Sequence, residues 1–113
     1  SIWDSFLDYL TRRGYSLPAE VTDRDKSIAY VSNPAVQDVL LKVHQSDPES
    51  AMVSERLVDI DEGIQEWRYR HVKMVERTIG HKMGTGGSSG VDYLASTLFN
   101  PVFKDLWEIR SRF

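Results

Sequence analysis

The residues best suited to chemistry in this sequence lie between Trp67 and Gly90: Trp-Arg-Tyr-Arg-His-Val-Lys-Met-Val-Glu-Arg-Thr-Ile-Gly-His-Lys-Met-Gly-Thr-Gly-Gly-Ser-Ser-Gly. The stretch joins an amphipathic helical segment carrying His71 to a run in which four of seven residues, Gly84 to Gly90, are glycine. A histidine on an apolar stripe has two readings, a satisfied core residue or a ligand. Here Trp67 stands one helical turn before His71, and Tyr69 adds a second polar aromatic group. A neutral imidazole in such surroundings is what a single axial haem ligand with a hydrogen-bonded outer shell requires. Zinc fits poorly. His-Glu-x-x-His does not occur, and His71 and His81, ten residues apart, would project from different sides of a continuous helix. His44 falls on another helix with no evident partner, so His44 and His81 both read as ordinary surface or core residues.

The glycine-rich run is the second signal. Gly84, Gly86, Gly87 and Gly90 permit positive φ angles, and they let backbone amides and the hydroxyls of Thr85, Ser88 and Ser89 approach a small anionic or zwitterionic ligand. The Gly-Lys-Ser/Thr ending of a nucleotide-binding loop does not occur, and a helix rather than a strand precedes the run. Ser89-Gly90-Val91-Asp92 reads as a capping box opening a helix through Leu98, whose N-terminus favours a carboxylate guest. A flexible linker is the alternative reading of the same glycines.

The elements that must position these groups are helical. Trp3, Phe6, Leu7 and Leu10 recur at three- and four-residue spacing, with Gly14 where a C-terminal cap is wanted. Pro18 could open a short helix through Asp23. Asn33-Pro34 and Asp47-Pro48 are start signals, an Asx cap followed by a proline whose missing N–H costs nothing in the first turn. From Pro48 no strong breaker occurs before Gly80, which predicts about 30 helical residues, near 45 Å at ~1.5 Å per residue. Leu57, Ile60, Ile64, Trp67, His71, Met74 and Thr78 form its expected inner face, and Asp59, Glu62, Glu66, Arg70, Lys73 and Arg77 an outer, solvated one. Gly63 breaks that pattern, as an interior glycine is usually tolerated where a backbone or ligand comes close. Asn100-Pro101 should open a last helix with Val102, Phe103, Leu106, Trp107 and Ile109 in the core.

Composition bounds the remaining classes. A chain of 113 residues with 41% apolar content fits one domain, 1–113. The net charge of −3 with interspersed signs gives no basic stripe for nucleic acid or an anionic membrane. Cysteine does not occur, so neither disulfides nor thiolate metal sites are possible. No apolar run approaches a membrane span, and a cytoplasmic protein is the expectation. The chain opens at Ser1, directly in a helical pattern, as a sequence cut from something longer would.

Taken together, Trp67-Arg68-Tyr69-Arg70-His71, Ile79-Gly80, Gly84-Thr85-Gly86-Gly87-Ser88-Ser89-Gly90 with Tyr93-Leu94, and Leu106-Trp107-Glu108-Ile109-Arg110 resemble the C-terminal half of the tryptophan 2,3-dioxygenases. Trp3-Asp4-x-Phe6-Leu7 and Arg12-Arg13-Gly14-Tyr15 are similar to that family too. The resemblance implies an all-α helical bundle built on one long helix, part of a larger, tetrameric haem-dioxygenase fold. It also implies a haem b enzyme that opens the indole ring of L-tryptophan with O2 to give N-formylkynurenine. By the same resemblance His71 is the iron ligand with Trp67 beside it, and Thr85, flanked by Gly84, Gly86 and Ser88, contacts the amino-acid end of the substrate. The family's distal histidine and its carboxylate-binding arginine have no counterpart in this sequence, so no further catalytic group is expected here. Two other classes stay open: a haem relative acting on another indole in secondary metabolism, and a non-catalytic helical assembly module.

Overall fold

Two Asx-proline pairs decide where the main helices begin. In the computed structural model, which describes residues 1–79, 92, 95–98 and 100–113, the Asn33 side chain accepts from the amides of Ala35 and Val36. Helix α3 (Pro34–Ser46) therefore starts with two orphan donors satisfied. Asp47 does the same for α4 (Pro48–Ile79), accepting from the Ser50 amide at 3.1 Å. Ahead of them, α1 (Ile2–Arg12) is capped by Ser1, and Gly14 follows it at φ +97°, a left-handed conformation that glycine adopts without strain. A single turn, α2 (Ala19–Thr22), comes next, and the chain closes with α5 (Lys104–Glu108) and a 3-10 turn (Ile109–Arg112). The described elements are all helical, as the periodicity predicts.

The chain divides into two compact units. The first comprises Ser1–Val58 with Phe103–Phe113. Its core takes Trp3, Phe6, Leu7 and Leu10 from α1, Val36, Leu40 and Val43 from α3, Leu57 and Val58 from α4, and Phe103, Leu106 and Ile109 from the C-terminal elements. Trp3, Phe6, Leu7, Leu10, Leu57, Phe103, Leu106 and Ile109 are among the side chains whose spacing marks them as core, whereas Val102, expected with them, is 42% exposed and Trp107 is half-buried. Trp3 sits among the rings of Phe6, Tyr30 and Phe103, with centroids 5.6 to 5.8 Å apart, where aromatic edges and faces pair favourably.

Two carboxylates knit this unit together. Asp105, fully buried, accepts from the Tyr30 hydroxyl at 2.5 Å, the Asn33 amide at 3.1 Å and Gln37 Nε2 at 2.8 Å. It thereby ties the segment before α3 to α5. Burial and the adjacent Asp105 carboxylate push the Tyr30 phenol well above its ordinary range. Asp47 accepts from Arg13 Nε and Nη2 at 3.1 and 2.9 Å and from the Tyr15 hydroxyl at 2.9 Å. The Arg13 hydrogen bonds, then the bond with Ser50, hold its carboxyl far below the usual carboxylate range.

That depression has a sign. A carboxyl whose folded pKa lies below its unfolded value stabilises the fold above roughly pH 4, and the contribution fades as pH falls through that point. Asp47→Asn should therefore lower the thermal midpoint at about pH 7, with the gap from the unmodified chain narrowing toward about pH 3. Melting curves across that range would count against the assignment if the gap stayed constant.

The second unit, Asp59–Val102, contains the C-terminal part of α4 and the segment that follows it. Here the structure departs from two expectations. The last helix begins at Lys104 rather than at Pro101. The reason is that α4 side chains already bind the main chain at 100–102: the Val102 amide donates to Asp61 Oδ1 at 3.1 Å, and the Asn100 carbonyl accepts from Arg68 at 2.7 Å. Gly63 is the second departure, since no atom within 4 Å would meet a Cβ there and the described residues give no reason for a glycine.

Candidate functional site

Helix α4 presents two different faces beyond Val58. One is occupied: Asp61 is fully buried, Val72 is buried, and Gln65 and Arg68 are half-buried. The other is open. Ile60 is 44% exposed, Trp67 63% and Met74 57%, with Ile64 and His71 half-buried between them. Of the expected inner face only Leu57 is buried, and the buried line of the helix runs one residue further round, through Val58, Asp61, Arg68 and Val72. The cause is polar. Asp61 and Arg68 bind the main chain of residues 97–102 and draw that segment onto their own side of the helix.

On the open face His71 and Trp67 come together as their one-turn spacing predicts. Their rings lie 5.1 Å apart and only 5° from parallel. The rings are stacked with an offset, so Trp67 restrains the plane of the imidazole. Tyr69 does not join them. It stands two residues from His71, on another side of the helix, with Lys73 Nζ 5.9 Å from its ring centre. Glu66 and Arg70 form the expected i,i+4 pair at 2.8 Å on the exposed surface.

The other candidates divide cleanly. His44 is an ordinary, satisfied residue: its Nε2 lies 3.2 Å from Ser54 Oγ and 3.8 Å from Glu55, and burial pulls its pKa down. His81, Gly84, Thr85, Gly86 and Ser88 lie outside the described residues.

The donor set bears on which metal group these residues suit. A bare ion needs about three or four protein ligands, and among the described residues no three His, Asp or Glu side chains gather. A metalloporphyrin brings its own equatorial nitrogens and asks the protein for one axial donor plus an apolar wall. A half-buried imidazole on a strip with Ile60, Ile64 and Met74 that no described residue covers meets that description, and the residues present fit haem.

Comparison with known proteins decides the family. The family model for tryptophan 2,3-dioxygenase matches residues 43–113, which include all of α4 and everything after it. The tryptophan 2,3-dioxygenase of Herpetosiphon aurantiacus is 58% identical over 111 residues, 98% of this chain and 42% of that protein. The chain belongs to the tryptophan 2,3-dioxygenase family. A second dioxygenase of that name, from Anaeromyxobacter dehalogenans, is 57% identical over 97% of the chain, and one from Bacillus thuringiensis subsp. konkukian is 39% identical over 99%. These matches reach back through α1 to α3. The chain spans about two fifths of the length of the curated dioxygenases it matches. Among the described residues no helix is long and apolar enough to cross a membrane.

Sequence reasoning passed over Asp61 as part of the site's support, and it met Arg68 only as a letter in a motif. A signal was available. Ser54, Val58, Asp61, Gln65, Arg68 and Val72 also recur at three- and four-residue spacing, but the neighbouring stripe is richer in apolar residues and outweighs them.

Proposed function

We propose that this chain is the C-terminal portion of a haem b dioxygenase that opens the indole ring of L-tryptophan with O2, giving N-formylkynurenine, in a cytoplasmic homotetramer. The observation that carries the reading is His71, stacked on Trp67 and set in an apolar strip of α4 that no described residue covers. His71 would hold the iron and Trp67 would fix the plane of the imidazole. Haem held there would supply the redox-active iron that binds O2. Ile60, Ile64 and Met74 supply a wall that excludes water from the macrocycle. Among the described residues the strip has one wall only, and the opposite wall and the distal groups would come from the rest of the longer protein or from another chain.

Thr85, with Gly84, Gly86 and Ser88, recognises the amino-acid end of the substrate through a hydroxyl and closely approachable amides. Thr85→Ala in the longer enzyme should lose roughly 1–3 kcal/mol of substrate or transition-state stabilisation, the cost of leaving a buried polar partner unmatched. Haem content should stay normal. Kinetics identical to the unmodified enzyme, both on tryptophan and on an analogue lacking the ammonium group, would show that the loop serves another purpose.

The experiment that tests the function itself is turnover by the longer protein of tryptophan against a panel of substituted indoles, read as the ring-opened product. Preference for tryptophan supports the proposal. Preference for another indole would place the chain with a relative of different specificity, and no turnover of any indole by haem-loaded protein would reject it.

A further inference from the structure

Beside the strip that carries His71 runs a line of cations, and one of them is left over. Arg70 is engaged by Glu66 at 2.8 Å and Lys73 by Glu76 at 3.6 Å, with Lys73 Nζ also 5.9 Å from the Tyr69 ring centre. Arg77 is exposed, and among the described residues no carboxylate, carbonyl or ring partners its guanidinium.

Met74 joins this line of cations to the strip. On an α-helix a residue meets those three and four positions away, which for Met74 are Arg70, His71, Arg77 and Thr78. Its side chain is 57% exposed, so the surface between the imidazole and the guanidinium is apolar and open among the described residues. A shallow groove of about 470 Å3 follows that surface, and Tyr69, Arg70, Lys73, Met74, Arg77 and Thr78 are its described lining. An apolar floor edged by an unengaged cation suits a flat, largely apolar guest with an anionic edge.

Haem is such a guest. Its macrocycle asks for apolar cover and its iron for an axial donor, while its propionates ask for cations or hydrogen-bond donors. The strip of Ile60, Ile64, His71 and Met74 answers the first two needs and leaves the third to its flank. We propose that Arg77 pairs a haem propionate, so that α4 holds the cofactor at two places, its iron through His71 and its anionic edge through Arg77. The proposal rests on the reading of His71 as the iron ligand. A planar guanidinium can meet a carboxylate with two parallel N–H bonds, which orients the macrocycle as well as retaining it. The last turn of a helix favours a cation for its dipole alone, and the test must separate the two roles.

That test is a cycle on the full-length apoprotein, crossing Arg77→Met with haem and with haem dimethyl ester, whose propionates are neutral. Dissociation constants are read at the Soret band, independently of turnover. The unmodified protein should prefer haem over its ester, and Arg77→Met should reduce that preference about fivefold, the scale of one partly exposed ion pair. Arg77→Lys should keep part of the preference, and added salt should narrow it more in the unmodified protein than in Arg77→Met. Arg70→Met removes the same charge from the same groove and serves as control. Glu66 holds that guanidinium, so the preference there should stay within about twofold. A preference that survives Arg77→Met, or that falls equally in Arg70→Met, overturns the proposal, the second by making net charge the cause. A lower melting point of Arg77→Met with the preference unchanged would assign the residue to the helix dipole, and overturns it as well. Failure of the unmodified protein to bind either porphyrin rejects the reading of His71, and the proposal falls with it.

Discussion

His71→Ala in the full-length enzyme is expected to lose stable haem binding and, with it, tryptophan turnover. On the proposed reading His71 would hold the iron, and among the described residues no second donor stands by to replace it. His44, the other described histidine, is occupied by Ser54 and Glu55 and belongs to the other compact unit. The substitution should leave the fold intact. His71 is only half-buried and its one ring contact is with exposed Trp67, so the thermal midpoint of the apoprotein should move little, within about 0.5 kcal/mol of stability. The haem spectrum and the melting curve together separate a lost ligand from a lost fold. An unchanged ferrous spectrum with unchanged turnover would remove His71 from the role.

How far the sequence speaks for itself differs between the two units. Around α1 and α5 each apolar stripe has a partner within the chain, so three- and four-residue spacing marks Trp3, Leu10, Leu106 and Ile109 as core and the structure buries them. Asx-proline pairs mark helix starts because the capping chemistry is local, and Asn33 and Asp47 cap as read. The second half of α4 is harder. Its richest stripe, through Ile60, Trp67 and Met74, faces outward, because the chain's own segment is drawn one residue further round the helix by Asp61 and Arg68, whose stripe recurs at the same spacing but is poorer in apolar residues. A hydrophobic stripe states that something apolar must cover it, but not what. The start of the last helix is misplaced for the same reason, since long-range bonds to α4 claim the main chain at 100–102 before a helix can use it. The stacking of Trp67 on His71 follows from spacing alone. That the pair belongs to a dioxygenase is legible only through its combination with the glycine-rich run.

The isolated 113-residue chain, by the same logic, should self-associate and hold haem weakly or not at all. Ile60, Trp67 and Met74 lie 44 to 63% exposed at seven-residue spacing along one side of α4, a continuous apolar strip of the kind that soluble proteins cover. Seven-residue spacing suits a second helix laid along the first, so two copies can bury the strip against each other. Haem retention needs the macrocycle enclosed on both sides as well as one axial bond. Light scattering and a haem titration followed at the Soret band test the two halves of this expectation. Met74→Glu should weaken the association by placing a charge in the seam. A monodisperse monomer that binds haem stoichiometrically would mean that the strip suffices alone.

The full-length protein, given L-tryptophan under isotopically labelled dioxygen, should form N-formylkynurenine carrying two labelled oxygen atoms, both taken from O2, as read from the mass of the product. A product with one labelled atom or none, or haem-loaded protein that leaves tryptophan untouched, would contradict the proposed function.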